Sequence, residues 1–391
     1  MQTQHKPAHS PRWTKRLTTL ILLIFTVQCT ASPARPPLPP TPSKPTLTIA
    51  ILSPASGELE TFGRTMRNGI IMAFEQWNEW GGAGGQHLAW QIYDTQCDFK
   101  AAQQATQQAI ADGRQYLIGP LCSEAALGAA VVAEQHGALL ISPTATHPLV
   151  TIGEQGHTRP AIFTIAASWE QQGTAAARFA TQTLKSKRAA LLLPPNDEYA
   201  RLTSAAFADT FIRTGGEVIQ QVILPLNQAE LTETLNKIAQ AGVEIVYLPA
   251  PAAEANRVAP NLADTSLLLL GSDRWDSPAL DPTLSQGHYF TSHFSLTTAQ
   301  SIAWATRYKA TYAIEPDTLA ALGFDGAMIF ASALDQSNRF TVEDITRTLE
   351  TTDFALNSGS LRFNEQHQSL KPIPIIRIGP NGYEFIDTIS P

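Results

Sequence analysis

The chain has 391 residues, a formal charge of −7, 43% apolar and 16% charged residues. That length suits two or three domains, and the composition is that of a globular protein. Beyond the first 29 residues 23 bases face 34 acids, and so acidic a body argues against nucleic-acid partners and against adsorption to anionic lipid.

The opening has the pattern of an export signal. Lys6, Arg12, Lys15 and Arg16 precede the apolar run Leu17–Val27, which is too short to span a bilayer comfortably. Two endings compete. Lipidation would fall on Cys29, although Thr26-Val27-Gln28 fits the usual Leu-Ala-Gly type poorly. Ordinary cleavage would fall after Ala31, with Cys29 at the small −3 position. The segment 32–45, SPARPPLPPTPSKP, reads as a semi-extended proline linker suited to a tethered domain. The expectation is an export signal over 1–31, a linker over 32–45 and a periplasmic or extracytoplasmic body, lipid-anchored if Cys29 is modified.

From Thr46 strands and helices alternate. Leu47–Leu52 reads as a strand. Thr61–Trp77 reads as an amphipathic helix with Met66, Ile70, Ala73, Phe74 and Trp77 on one side. Leu88–Tyr93 and Phe99–Ala111 repeat the pair. The stretch Tyr116–Thr146 then gives strand, helix and strand, with alanines at helical spacing and Gly137 as the stop. Each strand ends in small hydroxyl residues: Cys122-Ser123 after the first, Thr144-Ala145-Thr146 after the second. In an open α/β sheet ligands sit beyond the carboxyl ends of the strands. Ser123 opens its helix, where a hydroxyl and free N–H groups make an anion site. Read alone, Ser123 and Thr146 serve equally as ordinary helix caps.

Ile162–Ile165 closes the first half, and the second repeats the plan. Strands are expected at Ala189–Leu193, Val218–Leu224, Glu244–Leu248 and Leu267–Leu270, with helices between them. Tyr289–Phe294 leads back out. Helices follow near Ala299–Tyr312, Leu319–Ser332 and Val342–Thr351. Ser360–Phe363 and Ile373–Ile378 read as a closing antiparallel pair. This alternation makes two parallel sheets with helices on both faces.

Cys97 and Cys122 each follow a strand, and those strands read as neighbours. Their separation suits a disulfide, with two buried free thiols as the alternative. No Gly-x-Ser-x-Gly elbow and no His-Glu-x-x-His helix occurs. Gly81-Gly82-Ala83-Gly84-Gly85 follows a helix and precedes a strand, the wrong order for a phosphate loop. The nine histidines are scattered, and only His147 lies beside the hydroxyl clusters. No metal or cofactor is called for, and no nucleophile–base pair stands out. In the second half, Asp273 lies just past a strand's carboxyl end and Tyr199 follows the strand Ala189–Leu193. Either residue serves a turn or a helix face as readily as a ligand.

At these residues the chain resembles a known family, the leucine/isoleucine/valine-type substrate-binding proteins of ABC importers, with the type I periplasmic-binding fold. The resemblance runs from about Thr46 to Pro391. It rests on Tyr93-Asp94 through Cys97-Asp98, on Ile118-Gly119-Pro120-Leu121-Cys122-Ser123, and on Ile141-Ser142-Pro143-Thr144-Ala145-Thr146. Gly271-Ser272-Asp273, Trp275-Asp276-Ser277-Pro278 and Ala320-Ala321-Leu322-Gly323-Phe324-Asp325 add to it.

The resemblance implies an α/β protein of two doubly wound lobes with mainly parallel sheets, joined by three crossovers. The first lobe is expected over 46–165 plus 294–357, the second over 166–293 plus 358–391. It implies that Ser123 binds an amino acid's carboxylate, that Thr146 binds its carboxylate and ammonium, and that the Thr144 carbonyl and the Asp273 carboxylate take its ammonium. Tyr199 is implied as a lid and Phe62 as the aromatic after the first strand, and the cysteine pair matches as well. Arg274 departs from a glycine often found there and puts the ligand's side-chain class in question. The expected partners are an amino acid, branched-chain or similar, and an ABC permease, with the chain a monomer and not an enzyme. A ligand-sensing receptor on the same fold and an amidase-like enzyme are the alternatives.

Overall fold

The structure, a computed structural model, describes residues 44–263 and 265–390. The expected signal, Cys29 and nearly all of the linker lie outside the described residues.

The first sheet is built from β1 (Thr46–Ser53), β2 (His87–Asp94), β3 (Tyr116–Ile118), β4 (Leu139–Ser142) and β5 (Ile162–Thr164). All five are parallel, in the order β2-β1-β3-β4-β5. β3, β4 and β5 are buried along their whole length. They therefore read as continuous apolar runs without alternation, as strands covered on both faces do. The helices α1 (Glu60–Glu79), α2 (Phe99–Ala111) and α3 (Ser123–Gln135) make the connections.

After β5 the chain leaves for the second sheet through α4 (Trp169–Arg178). There β6 (Arg188–Leu193), α5 (Glu198–Arg213), β7 (Glu217–Ile223), α6 (Gln228–Gln240), β8 (Ile245–Leu248), α7 (Ala252–Val258), β9 (Leu268–Gly271) and β10 (Tyr289–Thr291) follow in turn. The parallel strands stand in the order β7-β6-β8-β9-β10, the winding of the first sheet repeated. In both lobes the order reverses beside the lobe's first strand, and the crevice of such a sheet opens at that switch point.

The chain then returns through α8 (Ala299–Tyr312), α9 (Thr318–Gln336) and α10 (Val342–Thr351). α9 is apolar on nearly every side because it is buried in the first core. It packs against α1 with almost no space between the backbones. A Cβ on Gly69 would sit 2.0 Å from the Ala320 carbonyl oxygen, and one on Gly323 would sit 2.4 Å from that of Met66. Each helix thus places a glycine where the other's backbone passes.

The last segment differs from expectation. Ser360–Phe363 does not pair with Ile373–Ile378. Instead β11 (Phe354–Leu356), β12 (Gly359–Phe363) and β13 (Ser369–Leu370) form a separate antiparallel sheet. β14 (Ile373–Gly379) pairs with β10 and with β15 (Gly382–Ile389), both antiparallel. The reason lies in the apolar face of the short strands. Phe354, Leu361 and Phe363 bury in the first core, and the Phe363 ring meets Phe163 at 4.9 Å. The chain enters the second sheet again at β14, after Lys371-Pro372.

Cys97 and Cys122 are joined in a disulfide with a Cα–Cα distance of 5.4 Å, tying the turn before α2 to the start of α3. It closes a loop of 25 residues, which contributes about 3–4 kcal/mol in the chain-entropy model. The double substitution Cys97→Ser/Cys122→Ser should lower unfolding stability in urea by about that amount. A loss below about 1 kcal/mol would show that the unfolded chain is compact without the bridge.

Candidate functional site

The site begins where β3 and β4 end. After β3 the chain turns at Gly119, whose φ of +114° and whose contact with the Leu52 carbonyl leave no room for a Cβ. This brings Ser123 to the first position of α3. Its hydroxyl does not cap that helix, because Cys122 holds the cap position and makes no side-chain cap bond. Instead Ser123 Oγ accepts from the backbone N–H groups of Thr146 (3.2 Å) and His147 (3.4 Å). The Thr144 hydroxyl donates to the Leu121 carbonyl at 2.7 Å. Two hydroxyls thus lock the loop after β4 onto the loop after β3. The simple helix-cap alternative fails for Ser123.

Trp169 meets this corner from the second lobe. It opens α4, behind a capping box formed by Ser168 and Gln171. Its indole N–H donates to Thr146 Oγ1 at 2.8 Å. Its ring lies edge-on to His147 at 4.4 Å and to Tyr199 at 5.5 Å. His147 packs on this tryptophan and accepts from the Leu149 N–H at 3.1 Å. Burial pushes its pKa below the ordinary histidine value, against the opposing charge of Glu198.

Asp273 holds the centre of the second lobe's side. It lies just past β9, with its side chain 12% exposed. The Tyr199 hydroxyl donates to one carboxylate oxygen, and His293 Nε2 lies 2.9 Å from the other. Burial by itself raises the Asp273 pKa. Hydrogen bonds from His293 and Tyr199, with nearby positive charge, outweigh it and hold the carboxyl below its ordinary value. Tyr199 moves the other way, raised well above the usual tyrosine value by burial and by the charge of Asp273. A carboxylate offers about four lone-pair positions, so two acceptor positions on Asp273 remain for a ligand.

Arg274 does not enter this pocket. Its guanidinium pairs with Asp197 at 2.5 Å and lies over the Tyr199 ring, 5.0 Å from its centroid. Asp197 also caps α5 through the Ala200 N–H. The arginine's charge is thus neutralised behind the tyrosine, and it steadies the ring rather than narrowing the cavity.

A cavity of about 620 Å³ lies where these surfaces meet. Phe62, Thr144, Asp273, Asp276, His293 and Thr318 are among its lining residues, and the lining includes no lysine or arginine. Asp276 accepts from the hydroxyls of Ser292 and Thr318, each at 2.6 Å. The Thr318 bond joins the N-terminus of α9 to the second lobe. Burial raises the Asp276 pKa, against those two hydroxyl bonds. Of the six residues expected at the site, Phe62, Thr144 and Asp273 share the cavity. Tyr199 touches it through Asp273. Ser123 and Thr146 form a second cluster beside it, joined to Tyr199 through Trp169. Among the described residues no group of three or more His, Cys, Asp or Glu side chains is placed to hold a metal.

The profile of the periplasmic binding protein family matches residues 46–382. The chain belongs to that family. Over 202 residues it is 30% identical to the leucine-, isoleucine-, valine-, threonine- and alanine-binding protein of Pseudomonas aeruginosa, covering 52% of this chain and 53% of that one. The chain thus spans about half the length of the curated relatives it matches. A branched-chain amino acid transporter substrate-binding protein from Streptococcus pneumoniae, solved with isoleucine, superposes with a TM-score of 0.74. The identity is 22%, over 88% of this chain and all of that one. A solute-binding protein from R. palustris, solved with benzoate, gives a TM-score of 0.70 at 19% identity, over 88% and 97% of the two chains. These likenesses establish the type I periplasmic-binding fold.

As a periplasmic binding protein the chain carries three cleft residues that sequence reasoning missed. Trp169 was foreshadowed only by the helix-start signal Ser168-x-x-Gln171. His293 sits in a short stretch of mixed aromatic and hydroxyl residues with no periodic cue. Asp276 lies three residues past Asp273, but its partner Thr318 is 42 positions away.

Proposed function

We propose that this chain captures an α-amino acid in the cavity between its lobes and delivers it to the membrane permease of an ABC importer. The observation that carries the reading is Asp273: a nearly buried carboxylate, held below its ordinary pKa, in a cavity whose lining includes no lysine or arginine. An ammonium group answers that charge through the acceptor positions that Tyr199 and His293 leave open. Solved proteins of this fold hold isoleucine in one case and benzoate in another. The fold therefore leaves the ligand open, and the acid at position 273 selects the one with an ammonium. The name of the Pseudomonas aeruginosa relative supports an amino acid of small or branched side chain.

Ser123 and Thr146 serve the ligand's carboxylate, and the Thr144 carbonyl shares its ammonium with Asp273. Phe62 covers the side chain and Tyr199 closes over the site. The Trp169–Thr146 and Thr318–Asp276 hydrogen bonds span the two lobes, and hinge closure over a ligand uses contacts of this kind. Transfer requires binding and release only, so the chain acts outside the cytoplasm as a monomeric carrier and not as an enzyme.

The experiment is to denature freshly purified protein and identify the released small molecules by mass spectrometry. An unmodified α-amino acid is the expected result. Recovery of an aromatic or aliphatic acid without an amino group would overturn the assignment.

A further inference from the structure

The amino-acid reading gives His293 no task, yet this residue is 5% exposed and lies where all three interlobe passages meet. It belongs to the second passage, just after β10. Its Nδ1 lies 3.3 Å from the backbone N of Ala167, in the first passage, and 3.3 Å from Gln172 Nε2. Its carbonyl accepts from Lys371 Nζ, in the third passage, at 2.9 Å. Its Nε2 lies 2.9 Å from Asp273.

These contacts assign the proton on the ring. A backbone N–H only donates, so Nδ1 is the acceptor and the proton sits on Nε2, directed at the Asp273 carboxylate. Tyr199 holds the other carboxylate oxygen. A carboxylate's terminal torsion is broad and roughly two-fold, and one donor on each oxygen fixes it. Without His293 one oxygen would lose its partner and the plane of the group would be free to turn.

We propose that His293 is a positioning residue for ligand binding: it fixes the Asp273 carboxylate for the ligand's ammonium and ties that carboxylate to all three passages between the lobes. The ligand half of this inference rests on the amino-acid reading. The carboxylate half does not. A hinge motion that shifts any passage moves a group bonded to His293, so the acceptor for the ammonium is set by the hinge.

Two measurements test it on the full mature protein. The first follows the Asp273 carboxyl carbon by NMR during acid titration of ligand-free protein. Tyr199, Arg274, Asp276 and Tyr247 also face this carboxylate and stay unchanged across the variants. In wild type the carboxyl should titrate below the ordinary range. In His293→Leu it should move upward, and in His293→Gln, whose amide N–H reaches the same oxygen, it should stay near wild type.

The second is titration calorimetry with leucine and with 4-methylpentanoic acid, which lacks only the amino group. His293→Leu should bind leucine about 10-fold more weakly and the analogue less than about 3-fold more weakly, with His293→Gln within about 3-fold of wild type for both. An unmoved Asp273 titration in His293→Leu would overturn the proposal, as would equal losses for both ligands with glutamine no better than leucine. If the titration moves but wild type binds leucine no better than its analogue, the amino-acid reading falls while the link between His293 and Asp273 stands.

Discussion

Asp273→Asn should weaken binding of an α-amino acid about 10–100-fold and leave a deaminated analogue nearly unaffected. The substitution keeps the volume and removes the charge. A hydrogen bond to a charged group contributes roughly 1.5–3 kcal/mol, which is that range of affinity. The local geometry sharpens the effect. Tyr199 and His293 each direct a donor at Asp273, and an asparagine can satisfy one of them with its oxygen but turns an N–H₂ toward the other. The negative charge is available over a wide pH range because the folded-state pKa lies below the ordinary value. Affinity for an ammonium ligand should therefore hold as pH falls through the ordinary carboxylate range and drop only below it. Calorimetry of the variant against leucine and 4-methylpentanoic acid at two pH values checks both statements. An Asp273→Asn protein that binds leucine as well as wild type would remove the ammonium from the account.

The second large effect concerns stability. Lys371 is 1% exposed and Asp325 is fully buried. Ser358 connects them: Lys371 Nζ donates to its hydroxyl at 3.2 Å, and its backbone N–H donates to Asp325 at 3.1 Å. Asp325 also accepts from the Asn357 N–H at 3.1 Å. Burial pushes Lys371 down to about 8, against the pull of Asp325, and burial pushes Asp325 up. Each charge is tolerated because the other is near. Lys371→Met would leave the carboxylate buried without a cation, and it should cost about 3–5 kcal/mol in urea unfolding near neutral pH. A loss under about 1 kcal/mol would mean that the backbone donors alone suffice for Asp325. The lysine's folded pKa lies below its unfolded one, so the unfolded chain binds more protons between about pH 8 and the ordinary lysine value of 10.5. This group's contribution to stability should therefore rise with pH across that window in wild type and be missing from the variant.

Much of the fold was legible because its signals are local. The runs at β3, β4 and β6 are short, apolar and bounded by turns, and alternation with helices leaves few topologies for them. The hairpin at 354–370 was misread because a short alternating strand says which residues turn inward but not which core receives them. Phe163 decides that, and it is distant in sequence.

The site divides the same way. Strand-end hydroxyls and an acid past a strand end can be read from position in an open sheet. The bond from Trp169 to Thr146 joins two lobes, and no spacing rule reaches across a cleft. Arg274 shows the limit from the other side. Its residue type suggested a changed pocket, yet its charge is taken up by Asp197, the cap of α5. His293 had no signal at all, because its importance comes from three passages that converge only in the folded chain.

The most direct measurement of the central claim is calorimetric titration of the wild-type protein with leucine, isoleucine, valine, alanine and threonine, each beside its deaminated analogue. The account predicts that at least one amino acid binds ten times or more tightly than its analogue. If every amino acid binds no better than its analogue, the ammonium has no partner in the cleft and the assignment is wrong.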